Sequence, residues 1–196
     1  MKVLNLYAGI GGNRKLWKDV DVVAIENNPK IAKMYQEFFP NDKVIITDAH
    51  QYLLDHFNEF DFMWSSPPCP THSRIRKARH DQNPPIYPNM KLYEEILLLQ
   101  GYAKCKWVVE NVISWYKPLI IPHDVGRHYF WSNFHISPFK IKTRGHMLPN
   151  KELMKIKGFE VNDTTILRNC VEPRLGLHVF NCAFKDKQTY LKTTTN

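Results

Sequence analysis

The sequence predicts an α/β domain built on a mostly parallel sheet with helices on both faces. Three observations carry that prediction. Short apolar runs alternate with amphipathic stretches along most of the 196 residues. The first four runs end in groups suited to a strand's carboxyl edge: the Gly9–Gly12 turn, Glu26, Asp48 and the corner Pro67-Pro68-Cys69. No internal repeat or domain boundary interrupts the pattern. Residues 1–184 therefore read as one domain, followed by a polar tail over 185–196.

The elements follow in order. Lys2 to Tyr7 begins with Val3, Leu4 and Leu6 and predicts the first strand. After the glycine turn, Asn13 to Lys18 is expected to start a helix. Val20 to Ile25 is a second apolar run. Pro29 presets the first turn of a helix carrying Ile31, Ala32, Tyr35 and Phe38 at helical spacing. Val44 to Ile46 predicts a third strand, and Tyr52, Leu53 and Phe57 a short helix. Phe60 to Trp64 is a fourth strand, stopped by two prolines that lack backbone donors. Residues 71–88 are polar, basic and unable to build a core, so they predict a long functional loop. Asn89 is expected to cap a helix reaching about Lys104. Trp107 to Val109 is a fifth strand, ended by Glu110-Asn111; Tyr129 to Phe134 is a further strand, and Pro173 to Phe184 a last helix.

Composition narrows the partners. Lys plus Arg is 27 against 19 Asp plus Glu, a formal net charge of +8, which suits a polyanion such as nucleic acid. The four cysteines form no CxxC pair, so neither a zinc knuckle nor a disulfide framework is indicated. Cys69-x-x-His72 with His80 lacks a second ligand pair, so no metal is expected. The absence of a signal peptide or long apolar run predicts a cytoplasmic protein.

The chemistry gathers at the strand ends. Cys69, just past a strand, can be aimed by its stiff turn as a nucleophile, with nearby cations favouring the thiolate; a small buried hydrophobe is the alternative. The glycine turn admits a ligand close to the backbone. It is not a full GxGxxG, since Arg14 occupies the third glycine position. Glu26 can accept from both hydroxyls of a ribose, and Asp48 from an adenine amino group. Either carboxylate alone reads equally well as a helix cap. Together they describe a pocket for an adenosine-containing cofactor. Glu110 can accept or donate, and so hold a pyrimidine in a chosen protonation state.

Several of these stretches, in this order, resemble the DNA cytosine-5 methyltransferase family. Leu6-Tyr7-Ala8-Gly9-Ile10-Gly11-Gly12 is similar to the family's cofactor-binding first motif, Pro67-Pro68-Cys69 to its catalytic motif, and Glu110-Asn111-Val112 to its Glu-Asn-Val. Lys157-Gly158-Phe159 resembles a Gln-Gly-Phe, and Asn169-Cys170-Val171-Glu172-Pro173 the Gly-Asn-x-Val-x-Pro beside the cofactor. The resemblance spans Val3 to about Phe184. It implies a Rossmann-like S-adenosylmethionine-dependent fold and methyl transfer to carbon 5 of a flipped cytosine, through a covalent Cys69 adduct. Glu110 would hold the base and Arg127 would steady the ring. The cofactor would touch Tyr7, Ala8, Gly9, Gly11, Gly12 and Glu26. It would also touch Asn27, Asp48, Ala49, Pro67, Asn169 and Val171. Double-stranded DNA would meet Ser73, Arg74, Arg76, Lys77 and Arg79 of the catalytic loop, with Asn111 beside them.

The sequence also departs from the family. Pro70 replaces a common glutamine. The Gln-x-Arg-x-Arg motif shrinks to His123–Arg127 with a single arginine. The target-recognition region shrinks to 132–150, whose basic residues Lys140, Lys142 and Arg144 are expected on DNA. This implies short or relaxed sequence preference, or recognition shared with a second copy or helper subunit. Competing readings are an RNA methyltransferase of the same family, an idle nucleic-acid-binding subunit and a nicotinamide enzyme; the missing third glycine disfavours the last.

Overall fold

In a computed structural model, which describes residues 1–79, 82, 84–140 and 148–185, seven strands form one sheet. They are β1 (Lys2–Leu6), β2 (Asp21–Ile25), β3 (Lys43–Ile45), β4 (Phe62–Ser65), β5 (Lys106–Val112), β6 (His123–Val125) and β7 (His128–Ser132). Their order is β3-β2-β1-β4-β5-β7-β6. The first five pair in parallel, while β7 runs antiparallel to both β5 and β6.

Alternation along each strand splits the core into two layers. Val3, Val22, Phe62, Trp64 and Val108 face one side, where α1 (Pro29–Phe38) and α7 (Pro173–Phe184) pack. Leu4, Leu6, Met63, Trp107 and Val109 face the other, under α2 (Ala49–His56) and α4 (Lys91–Tyr102). Burial on both faces explains why the strands read as continuous apolar runs.

Four departures from the expected elements have physical causes. The segment after the glycine turn is a chain of turns, not a helix. A helix over 13–20 would rise only about 12 Å, too short to run back along a five-residue strand of about 17 Å. Trp17 anchors this segment instead, its ring 4.9 Å from that of Phe180 in a stacked pair. Residues 71–88 contain a short helix, α3 (Arg74–Ala78), whose N-cap Ser73 accepts from the Ile75 amide. β5 does not stop at Glu110 but runs to Val112, because β7 supplies an antiparallel partner. Two unforeseen helices, α5 (Asn150–Lys157) and α6 (Thr164–Asn169), bury Leu153, Phe159 and Leu167 in a third apolar cluster against Ile31, Met34 and Phe38.

The helix predicted from Asn89 begins at Lys91, whose amide Asn89 bonds, and ends at Tyr102. Ser132 to Lys140 forms no separate recognition element: Ile136 is buried in the main core and Phe134 and Phe139 pack against it. Lys140 is exposed. Lys142 and Arg144 lie outside the described residues, as does the tail from 186. Among the described residues no helix is long and apolar enough to cross a membrane.

Candidate active site

The sheet reverses its winding between β1 and β4, the place where parallel α/β sheets open a crevice at their carboxyl edge. A cavity of about 790 Å³ lies there. It joins the glycine turn after β1, the Pro67-Pro68-Cys69 corner after β4, the end of β5, the β6–β7 turn, and α5 and α6.

The sequence-predicted chemistry converges on this cavity: Cys69, Glu110 and Arg127 all line it. Arg127 is exposed, at the tight turn that Gly126 makes with φ 69°. Asn111 does not reach outward to nucleic acid. Buried, it donates Nδ2–H to the Pro67 carbonyl at 2.9 Å and accepts the Val112 amide at 2.9 Å. That bond ties the strand carrying Glu110 to the corner carrying Cys69. The environment of Cys69 also differs from expectation. Burial and then the negative charge of Glu110 push its thiol above the usual cysteine range, and among the described residues no cation offsets them.

The expected cofactor residues divide. Tyr7, Ala8, Gly9, Gly12, Glu26, Pro67, Asn169 and Val171 line the cavity. Glu26 accepts the Gly9 amide on one oxygen at 3.0 Å and the Asn28 amide on the other at 2.9 Å. Each oxygen keeps a second lone pair for a hydroxyl. A Cβ built on Gly9, at φ 54°, meets nothing within 4 Å, so open space lies over the turn. Gly12 lies under the 170–171 peptide: a Cβ there would stand 2.3 Å from Cys170 Sγ and 2.4 Å from the Val171 carbonyl. The other four residues sit elsewhere. Asp48 caps α2, accepting the Gln51 amide at 2.8 Å, and Ala49 is buried in that helix. Gly11 packs under Tyr35 and Phe39, and Asn27 is exposed off the cavity.

Of the basic loop, Ser73, Arg76 and Arg79 border the cavity, while Arg74 and Lys77 turn aside. Arg74 donates to the Ser114 carbonyl at 3.1 Å, and the Lys77 ammonium lies 5.1 Å over the Trp115 ring. The sequence reading missed three site residues. His128 Nδ1 lies 2.5 Å from Glu110 Oε1; its signal was a titratable side chain on the strand paired with Glu-Asn-Val. Lys157, noted only as part of a motif, donates to the Cys170 carbonyl inside the cavity wall, and burial lowers its affinity for its proton. Arg168 lines the opposite wall.

A central parallel sheet with an antiparallel β7 and a crevice at this edge defines a Rossmann-like methyltransferase fold. A profile of the C-5 cytosine-specific DNA methylases matches residues 1–112, more than half of the sequence, and the chain belongs to that family. It is thus an S-adenosylmethionine-dependent methyltransferase of the C-5 cytosine type. The open space over Gly9, the spare lone pairs of Glu26 and the cavity's size fit that cofactor. No curated protein matches.

Solved structures with similar folds include a hypothetical protein from Thermus thermophilus, at 17% identity over 67% of this chain and 73% of that one, TM-score 0.46. An Entamoeba histolytica methyltransferase, EhMeth, matches at 15% identity over 76% and 60%, TM-score 0.43. A Spodoptera frugiperda DNMT2 mutant matches at 26% identity over 57% and 35%, TM-score 0.38. The match therefore spans about a third of the DNMT2 chain.

Proposed function

We propose that the protein methylates carbon 5 of cytosine in double-stranded DNA through a covalent adduct on Cys69. The observation that carries this reading is the meeting of Cys69, Glu110 and the Gly9–Glu26 cradle in one cavity. Carbon 5 of cytosine is a weak nucleophile. Addition of the Cys69 sulfur to carbon 6 makes an enamine of the ring and turns carbon 5 nucleophilic. Glu110 holds nitrogen 3 and the exocyclic amine, favouring the charge the adduct develops. Bound S-adenosylmethionine supplies the electrophilic methyl group. Glu26, the Gly9 turn and Asn169 hold that cofactor, and Pro67 and Pro68 wall the cavity. Loss of the carbon 5 proton and expulsion of the sulfur restore the ring. Arg76 and Arg79, at the mouth, take backbone phosphates.

Labelled cofactor offered with duplex DNA or with transfer RNA tests this proposal. Label is expected in DNA cytosine, and Cys69→Ser is expected to abolish transfer. Label in RNA alone would reassign the substrate. Trapping on 5-fluorocytosine DNA is expected to give a covalent complex that Cys69→Ser cannot form. Bisulfite sequencing of a methylated plasmid is expected to show a short, relaxed site.

A further inference from the structure

We infer that His128 is a positioning residue for this active site: its hydrogen bond sets the Glu110 carboxyl and offsets the negative charge that faces Cys69. The inference rests on the proposed roles of Cys69 and Glu110 and adds a third participant to them.

The geometry comes from strand pairing. β5 and β7 are antiparallel, with Val112 opposite His128 and Glu110 opposite Phe130. Glu110 and His128 are thus diagonal neighbours on one face of the pair. Their side chains meet at 2.5 Å, Nδ1 to Oε1, and both line the cavity. Among the described residues, His128 is the one hydrogen-bond partner of this buried carboxyl. With Oε1 engaged and the carboxyl plane held, Oε2 is left for the edge of a base.

The charges around the pair make the bond matter. Glu110 acts on the Cys69 thiol and opposes its ionisation. Other charged groups lining the cavity include Arg127, which precedes His128, Lys157 of α5 and Glu172 at the start of α7. Arg174 Nε donates to Glu172 Oε1 at 2.6 Å, while Glu172 Oε2 is buried without a hydrogen-bond partner among the described residues. Lys157 is occupied by the Cys170 carbonyl. Of these groups only His128 touches Glu110.

The proton balance follows. Cys69 gives its thiol proton to water and its sulfur bonds carbon 6; the 5,6 π pair moves into the 4,5 bond and the 3,4 π pair onto nitrogen 3, which takes one proton. The proton held between His128 Nδ1 and Glu110 Oε1 supplies it, leaving neutral imidazole on a carboxylate. Expulsion of the sulfur returns it. The carbon 5 proton leaves separately, to water.

The test begins on the free protein, without DNA or cofactor. Iodoacetamide labelling of Cys69, read by peptide mass spectrometry from about pH 6 to about pH 10, gives the thiol's titration. His128→Ala is expected to move that profile upward in pH and Glu110→Gln downward. In the Glu110→Gln background, His128→Ala is expected to have no effect, the signature of coupling through the carboxyl. Circular dichroism checks that each variant folds. In methyl transfer, His128→Ala is expected to lower kcat by roughly 10²-fold or more with a smaller change in KM. His128→Asn keeps a donor but not the charge; it is expected to recover part of kcat and to flatten the pH profile. A His128→Ala labelling profile that superimposes on wild type, or a shift that persists without Glu110, overturns the inference. Coupled labelling without transfer to DNA leaves His128 in place and instead removes the DNA reading.

Discussion

Tyr7 shows how one residue can serve both core and cavity. It leaves β1 with φ 53°, a left-handed conformation costly for a tyrosine. The turn directs its hydroxyl to Glu95, a fully buried carboxylate, at 2.6 Å. Ser65 donates to the same carboxylate at 2.6 Å, and His50 Nδ1 lies 3.1 Å from it. Removing one donor leaves Glu95 short of hydrogen bonds, so Tyr7→Phe is expected to cost about 1–3 kcal/mol, measurable by urea unfolding. The same cluster gives stability a pH dependence. The hydrogen bond to Glu95 holds His50 above its ordinary range, although partial burial opposes this. A raised folded-state pKa stabilises fully below the unfolded value and is lost as pH rises through the folded value. Thermal midpoints are therefore expected to fall as pH rises from just below neutrality through the His50 titration, and His50→Asn is expected to flatten that slope.

At the scale of the element, the segment between β1 and β2 and the helix α3 show what sequence patterns cannot carry. β1 to β5 and β7 were legible as apolar runs, whereas β6, His-Asp-Val, carries no such run and was not expected. The start of α1 at Pro29 and of α7 at Pro173 were legible for similar local reasons. The turns over 13–20 were not, because their conformation is set by the distance back to β2. Trp17 holds that segment by packing, so Trp17→Ala is expected to cost about 3–5 kcal/mol, seen in the same unfolding experiment. α3 is short, with no buried residue, and a polar basic stretch gives no periodic signal. It is held from outside by the Arg74 bond to the Ser114 carbonyl and by a Ser73–Ser114 bridge. If Arg76 meets one phosphate, Arg76→Ala is expected to weaken DNA binding and reduce its salt slope by about one unit.

For the whole molecule, the site was legible in the groups that local order dictates: a glycine turn, a proline corner and a Glu-Asn pair. The carboxylate at Asp48 shows the limit, because capping and ligand binding ask for the same residue type; in the structure one of its oxygens caps α2 outside the cavity lining. His128 shows the opposite limit, since strand register brings it to Glu110 from 18 residues away. The opposite wall of the cleft was foreseen only at Asn169 and Val171; α5 and α6 supply the rest of it, and 132–140 does not line it. Arg168→Glu is therefore expected to weaken DNA binding, whereas Lys140→Glu is expected to leave it nearly unchanged, as read by fluorescence anisotropy.

The Asn111–Pro67 bond carries a consequence for engineering. It fastens the Cys69 corner and the strand carrying Glu110 to one chassis, while α3 lies at the cavity's border. Grafts that alter what the cleft accepts can be confined to α3, leaving that joint untouched.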